Sequence, residues 1–136
     1  MPKSNMEILL VEDNPKDVKL TLHALTRQKL ANHIEVARDG EEALDYLFCR
    51  GNYAGRSFDH PPRLVLLDLK LPKIDGLEVL REIKANARTK VIPVVVMSSS
   101  QEQRDMVDSY QLGVNSYIVK PVDFDKFSAA VLELGC

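Results

Sequence analysis

Reactive side chains stand directly after short runs of branched apolar residues at several points of the chain. Glu12 and Asp13 follow Ile8-Leu9-Leu10-Val11, and Asp68 follows Leu64-Val65-Leu66-Leu67. Ser98 and Ser99 follow Val94-Val95-Val96-Met97, and Lys120-Pro121 follows Tyr117-Ile118-Val119. Continuous runs of this kind mark strands buried on both faces. In an open parallel sheet, ligands bind in the crevice beyond the carboxyl ends of the strands, where the strand order switches. Carboxylates, a hydroxyl and an ammonium therefore converge on one edge.

Carboxylates gathered in one pocket repel one another, and without a cation at least one is driven toward its protonated form. Hard oxygen ligands with no histidine or cysteine nearby favour Mg²⁺, which takes one or two carboxylates and keeps several waters. A metal so placed leaves positions open for phosphate oxygens, and Lys120 adds a point charge suited to the same group. The set matches phosphoryl transfer, in which positioning and charge neutralisation do most of the work.

The elements that must hold these residues are legible around them. Ile34-Glu35-Val36 is shorter and alternates, as an edge strand does, and Tyr117-Ile118-Val119 supplies a further strand. Asn14-Pro15 gives an N-cap followed by proline at the first helical position, with Val18, Leu22 and Leu25 as the apolar face. Asp39 with Glu42, Asp75 with Glu78, and Ser100 with Gln103 each have the spacing of a capping box. Gly113 is placed to end a helix, and Phe124, Phe127, Val131 and Leu134 share one face of the last one. Strand and helix alternate throughout, which predicts an α/β fold with a parallel sheet covered on both sides. Only Arg50 to Pro62 departs from the alternation. Its Gly51, Asn52, Gly55, Pro61 and Pro62 read as a long loop, with Tyr53 and Phe58 as apolar anchors that pack it onto the domain.

A chain of 136 residues fits one domain, and 45% hydrophobic with 28% charged residues is ordinary for a globular protein. The net charge of -2 gives no reason to expect nucleic acid or an anionic membrane as partner. No apolar run approaches the ~18 residues needed to span a bilayer. The opening Met1-Pro2-Lys3-Ser4-Asn5 lacks the pattern of a signal peptide. Cys49 and Cys136 read as free thiols, and the chain as cytoplasmic. His23, His33 and His60 lack metal-ligand spacing and read as surface residues. Arg81, Lys84 and Arg88 read as a solvated helix face, Ser99 as a close-packed turn and Ser100 as an N-cap.

Glu12-Asp13, the run Leu67-Asp68-Leu69-Lys70-Leu71-Pro72 with Asp75-Gly76 behind it, Ser98, Tyr117 and Lys120-Pro121 together resemble the CheY-like response-regulator receiver family. The resemblance covers about residues 6 to 134 in order and spacing. It implies a flavodoxin-like, doubly wound five-stranded parallel sheet of order 2-1-3-4-5, filling residues 6–136 behind an N-terminal tail at 1–5. It further implies that Asp68 accepts a phosphoryl group, and that Asp13 and Asp68 bind Mg²⁺ with the backbone carbonyl of Lys70, Glu12 assisting through water. Ser98 and Lys120 would hold the phosphoryl oxygens. Ser98 and Tyr117 would be the switch pair, and the Lys120–Pro121 peptide would be cis.

The long loop and the phrase Leu-Asp-Leu-Lys-Leu-Pro also resemble stand-alone receivers linked to bacterial phytochromes and other sensor kinases. The implied partners are a sensor histidine kinase, of phytochrome type in that subgroup, a downstream protein or phosphotransfer partner, and a second copy in a homodimer. In that subgroup the last helix often runs on past a Leu-Gly pair. Here the sequence stops at Gly135-Cys136, as a shortened chain would, which puts in doubt any dimer surface built by that extension.

Three rivals fit less well. A Mg²⁺-dependent phosphatase with an aspartyl nucleophile wants a second acid two residues on, where Lys70 stands. A nucleotide-binding domain wants a glycine-rich turn where Glu12-Asp13-Asn14-Pro15 stands. A degenerate receiver would have lost part of the set. The expectation is a signalling domain that catalyses only its own phosphorylation and dephosphorylation, and no turnover enzyme.

Overall fold

The computed structural model describes residues 7–27, 33–99 and 102–133. Its strands are β1 (Glu7–Val11), β2 (His33–Ala37), β3 (Leu64–Leu67), β4 (Val94–Ser98) and β5 (Ser116–Val119). Its helices are α1 (Pro15–Arg27), α2 (Gly40–Leu47), α3 (Gly76–Ala85), α4 (Gln103–Gln111) and α5 (Phe124–Glu133). The strands pair in parallel in the order β2-β1-β3-β4-β5. The chain therefore moves to one side of β1 and then to the other, and the crevice between β1 and β3 is the switch point.

The unbroken apolar runs are explained by two cores. Ile8, Leu10, Leu64, Leu66, Val95 and Met97 face Val18 and Leu25 of α1 and Phe127 and Val131 of α5. Leu9, Val11, Val65, Leu67, Val94 and Val96 face Ala43, Leu44 and Leu47 of α2 and Val79, Leu80 and Ile83 of α3. Successive side chains of a strand point to opposite faces, so a strand covered on both sides has no polar position to spare. Strands β2 and β5, at the two edges, are only partly buried. No helix among the described residues is long and apolar enough to cross a membrane.

Helix ends follow the sequence in most places. Asn14 Oδ1 accepts from the N–H groups of Lys16 (2.9 Å) and Asp17 (3.3 Å), and the backbone of Gly113 (φ 99°) turns the chain out of α4. Asp39 Oδ1 accepts from the Glu42 N–H at 2.8 Å, while Glu42 Oε1 accepts from the Arg38 N–H at 3.0 Å. The expected box at Asp75 does not form. Its side chain makes no cap bond, and the Gly76 N–H turns instead to the Leu69 carbonyl at 3.0 Å, while Glu78 pairs with Arg81 at 3.2 Å. Ser100 and Leu134 lie outside the described residues, as does Cys136.

The segment from Arg50 to Pro62 is a packed excursion. A 3₁₀ turn at Gly51–Tyr53 places the Tyr53 ring edge-on to Tyr46, centroids 5.0 Å apart, with its hydroxyl donating to Glu42 Oε2 at 2.7 Å. The Arg56 guanidinium lies 3.6 Å from the Tyr46 ring centroid and donates to the carbonyls of Tyr46 and His60. Phe58 packs edge-on against Phe48, and Arg88 lies over its ring at 4.5 Å.

Arg88 lies past the end of α3 and stays exposed as expected, with its guanidinium over the Phe58 ring, whereas Lys84 is not simply a solvated residue. The Lys84 ammonium donates to the carbonyls of Lys90 (3.2 Å) and Ile92 (3.4 Å), and burial pulls it below the ordinary lysine value. Arg81 keeps the exposed place expected of it, as do His23, His33 and His60.

Candidate functional site

Register brings the site together. Val11 is paired with Leu67, so Glu12 and Asp68 leave adjacent strands side by side. The Asp68 N–H donates to the Val11 carbonyl at 3.0 Å, and the Glu12 N–H to that of Ala37 at 2.9 Å. On the far side of β4, the backbone N–H of Lys120 donates to the Ser98 carbonyl at 2.8 Å, and the Lys120–Pro121 peptide is cis. From there the lysine side chain reaches back across the sheet edge to the carboxylates.

Its ammonium lies 2.7 Å from Glu12 Oε1, 2.8 Å from Asp17 Oδ2 and 3.1 Å from Asp68 Oδ2. Glu12 is 1% exposed and Asp68 5%. Burial pushes the Glu12 carboxyl up to about 7, with the Asp68 charge adding to the rise and Lys120 opposing it. Desolvation, more than repulsion among the acids, singles out the carboxylate that takes the proton. Lys120 feels burial in the opposite sense. Hydrogen bonds to Asp17 and Glu12, with the charges of Asp68 and Glu12, offset that cost and hold it above the ordinary lysine value.

Asp13 is exposed at the mouth of the cleft, and the Lys70 N–H donates to Asp68 Oδ1 at 3.1 Å. Ser98 is fully buried at the end of β4. Ser99, expected in a close-packed turn, is exposed and lines the cleft with Asp68 and Lys120. Tyr117 is half-buried against the core under α2 and α3. Asp17 was not singled out by the sequence. An acid in the first turn of a helix is explained well enough by the helix dipole, and only the return of Lys120 gives it a place in the site.

Carboxylate oxygens of Glu12, Asp13 and Asp68 lie within 4.8 Å of one another, one from each residue. The donors are all oxygen, and opposite ligands of a Mg²⁺ ion stand about 4.2 Å apart. Two direct carboxylate ligands with a third reaching through water fit that spread. The residues present suit a small, hard divalent cation.

The model of the response regulator receiver domain matches residues 8–132. The chain belongs to that family. As a receiver domain it is a response regulator of two-component signalling, and the family binds divalent metal. Solved structures agree in fold and extent. The bacteriophytochrome response regulator AtBRR is 54% identical, covering 98% of this chain and 94% of that one, with a TM-score of 0.85. The phosphorylated cyanobacterial phytochrome response regulator RcpA is 43% identical, covering 96% and 91%, with a TM-score of 0.83. The Mn²⁺-bound form of response regulator Rcp1, a protein of Synechocystis sp., is 40% identical, covering 93% and 89%, with a TM-score of 0.82.

Proposed function

We propose that this receiver takes a phosphoryl group from the phosphohistidine of a sensor histidine kinase onto Asp68, in a Mg²⁺-dependent reaction, and passes the signal on by changing its surface. The observation that carries the reading is the meeting of Asp68 with the Lys120 ammonium, 3.1 Å away, inside a cluster of further carboxylates. Asp13, Asp68 and the Lys70 carbonyl would hold the metal, with Glu12 acting through water. Bound there, Mg²⁺ supplies positive charge against the phosphoryl oxygens.

The chain's own residues do the rest. A carboxylate oxygen of Asp68 attacks phosphorus while the phosphorus–nitrogen bond of the donor breaks, its electron pair returning to the imidazole. The Lys70 N–H, bonded to Asp68 Oδ1, orients the carboxylate so that Oδ2 faces the cleft. Lys120 meets the charge that builds on the transferred group. The domain acts on no separate substrate, and its place of work is the cytoplasm. By the resemblance to that subgroup, the kinase is of phytochrome type.

With a small-molecule phosphodonor and Mg²⁺, the intact mass should rise by one phosphoryl group, and a chelator should prevent the rise. Undiminished uptake in chelator would sink the metal assignment.

Ser98 and Tyr117 are the proposed switch. A phosphoryl group adds strong acceptor oxygens and negative charge beside β4. A hydrogen bond from Ser98 to such a group contributes roughly 1.5–3 kcal/mol, enough to shift a two-state equilibrium by about one to two decades. Tyr117 then turns inward, and the surface of α4, β5 and α5 changes with it. Ser98→Ala should accept phosphate on Asp68 yet transmit it poorly. Chemical shifts over residues 102–133, with and without a phosphoryl mimic, check this. Equal responses in parent and variant remove Ser98 from the mechanism.

A further inference from the structure

An ammonium has three N–H donors, and in Lys120 each meets a carboxylate: Glu12 at 2.7 Å, Asp17 at 2.8 Å and Asp68 at 3.1 Å. Glu12 and Asp68 belong to the cluster suited to a divalent cation, and Asp17 does not. The same lysine is therefore a cation already seated on oxygens that a metal needs. Asp17 is the acceptor that pulls the other way. It stands in the first turn of α1, its backbone N–H on Asn14 Oδ1 at 3.3 Å, with its side chain 32% exposed.

The surroundings leave Asp17 that task alone. Asp17 and Lys120 line both the open cleft, with Glu12, Asp13 and Asp68, and a second cavity of about 110 Å³ between α1 and α5. Beside Asp17 and Lys120, that second cavity is walled by Leu20, Thr21, Met97, Pro121, Val122 and Phe124, of which Thr21 offers a hydroxyl and none offers a charge. Without the Asp17 carboxylate the ammonium keeps only Glu12 and Asp68 of the three carboxylates it touches.

We infer that Asp17 is a positioning residue: by drawing the Lys120 ammonium toward α1, it keeps the lysine from competing with the divalent cation for the oxygens of Glu12 and Asp68. The inference rests on the metal-dependent reading above. On phosphorylation the donor now spent on Asp68 Oδ2 turns to a phosphoryl oxygen, while the bond to Asp17 holds the ammonium beside it.

The test is divalent-cation affinity, measured by calorimetry with Mg²⁺ and with Mn²⁺ in the absence of any phosphodonor. Asp17→Asn preserves shape and removes the charge. It should weaken binding about tenfold, as loss of a group that orients a metal ligand commonly does. Asp17→Glu should stay within about threefold of the parent, since it restores the acceptor.

A double-mutant cycle isolates the route through lysine. In a Lys120→Met background, Asp17→Asn should cost only about twofold, because the competitor is gone. An equal loss in both backgrounds would show Asp17 acting as bare charge and overturn the inference, as would unchanged affinity in Asp17→Asn. A parent protein that binds neither ion overturns the functional reading itself and this inference with it.

Discussion

Asp68→Asn should take up no phosphoryl group and should at the same time be more stable than the parent in metal-free solution. The first half follows from chemistry, since an amide oxygen at this position cannot form the acyl phosphate. The second follows from charge. Asp68 is 5% exposed and shares a cluster, within 4.8 Å, with Glu12 and Asp13. Two unit charges at that separation repel by about 3 kcal/mol at an effective dielectric near 20. The lost attraction to Lys120, 3.1 Å away and about 5 kcal/mol on the same scale, offsets most of the summed repulsion from the two acids, but the variant no longer has to bury a carboxylate. A net gain of about 1 kcal/mol, or about 3 °C in melting temperature, is expected.

The gain has a pH signature. Glu12 in the folded chain titrates at about 7, above its ordinary value of 4.5. A raised carboxyl favours the folded state fully below 4.5, and that contribution is lost as pH rises through 7. Removing the Asp68 charge removes one cause of the rise, so the advantage of the Asp68→Asn variant over the parent grows across that window and is largest above pH 7. Thermal unfolding in chelator at about pH 5 and about pH 8, on either side of most of that window, with intact mass after exposure to a phosphodonor, measures all of this. A variant less stable than the parent on the alkaline side, or one phosphorylated at the same position, would contradict the charge argument.

How far the sequence reached depended on whether a residue's neighbours were set locally. Val94-Val95-Val96-Met97 has no polar position, and that alone requires cover on both faces, as the two cores supply. The rule that ligands gather at carboxyl strand ends then led from such runs to Glu12, Asp68 and Lys120 without any knowledge of contacts. Asp17 escaped because its partner lies 103 positions away, and its type was already accounted for by the helix it begins. Ser99 escaped because its exposure depends on how the chain leaves β4, which no local pattern reports. Asp75 had the spacing of a capping box without the geometry, since the entry to α3 is governed by a backbone contact that no side-chain pattern reports. Arg88 kept the exposed place expected of it, but α3 ends before it at Ala85, and the long loop folds back to set the ring of Phe58 beside it.

That backbone contact sets the second large effect. Gly76→Ala should destabilise the fold by about 3 kcal/mol, toward the upper end for overpacking, and cut phosphoryl uptake about 100-fold, as misplacing reacting groups by an ångström does. A methyl group at Gly76 would lie 2.4 Å from the Cα of Leu69, 2.5 Å from the carbonyl oxygen of Asp68 and 2.9 Å from the carbonyl carbon of Leu69. These are backbone atoms, so no rotamer change relieves them. The glycine is needed for closeness and not for an unusual dihedral. Either α3 lifts off the sheet, losing the packing of Val79, Leu80 and Ile83, or the segment from Asp68 to Lys70 moves. The first path lowers stability, and the second shifts the carboxylate and the carbonyl proposed to hold the metal. Gly55→Ala is the matched control, because nothing lies within 4 Å of a methyl group there. It should change stability by less than about 0.5 kcal/mol, as surface substitutions do, and leave uptake unaltered. Unfolding midpoints and phosphorylation rates for the two variants decide the matter. If Gly76→Ala matched Gly55→Ala in both, the close approach of α3 would have no hold on the site.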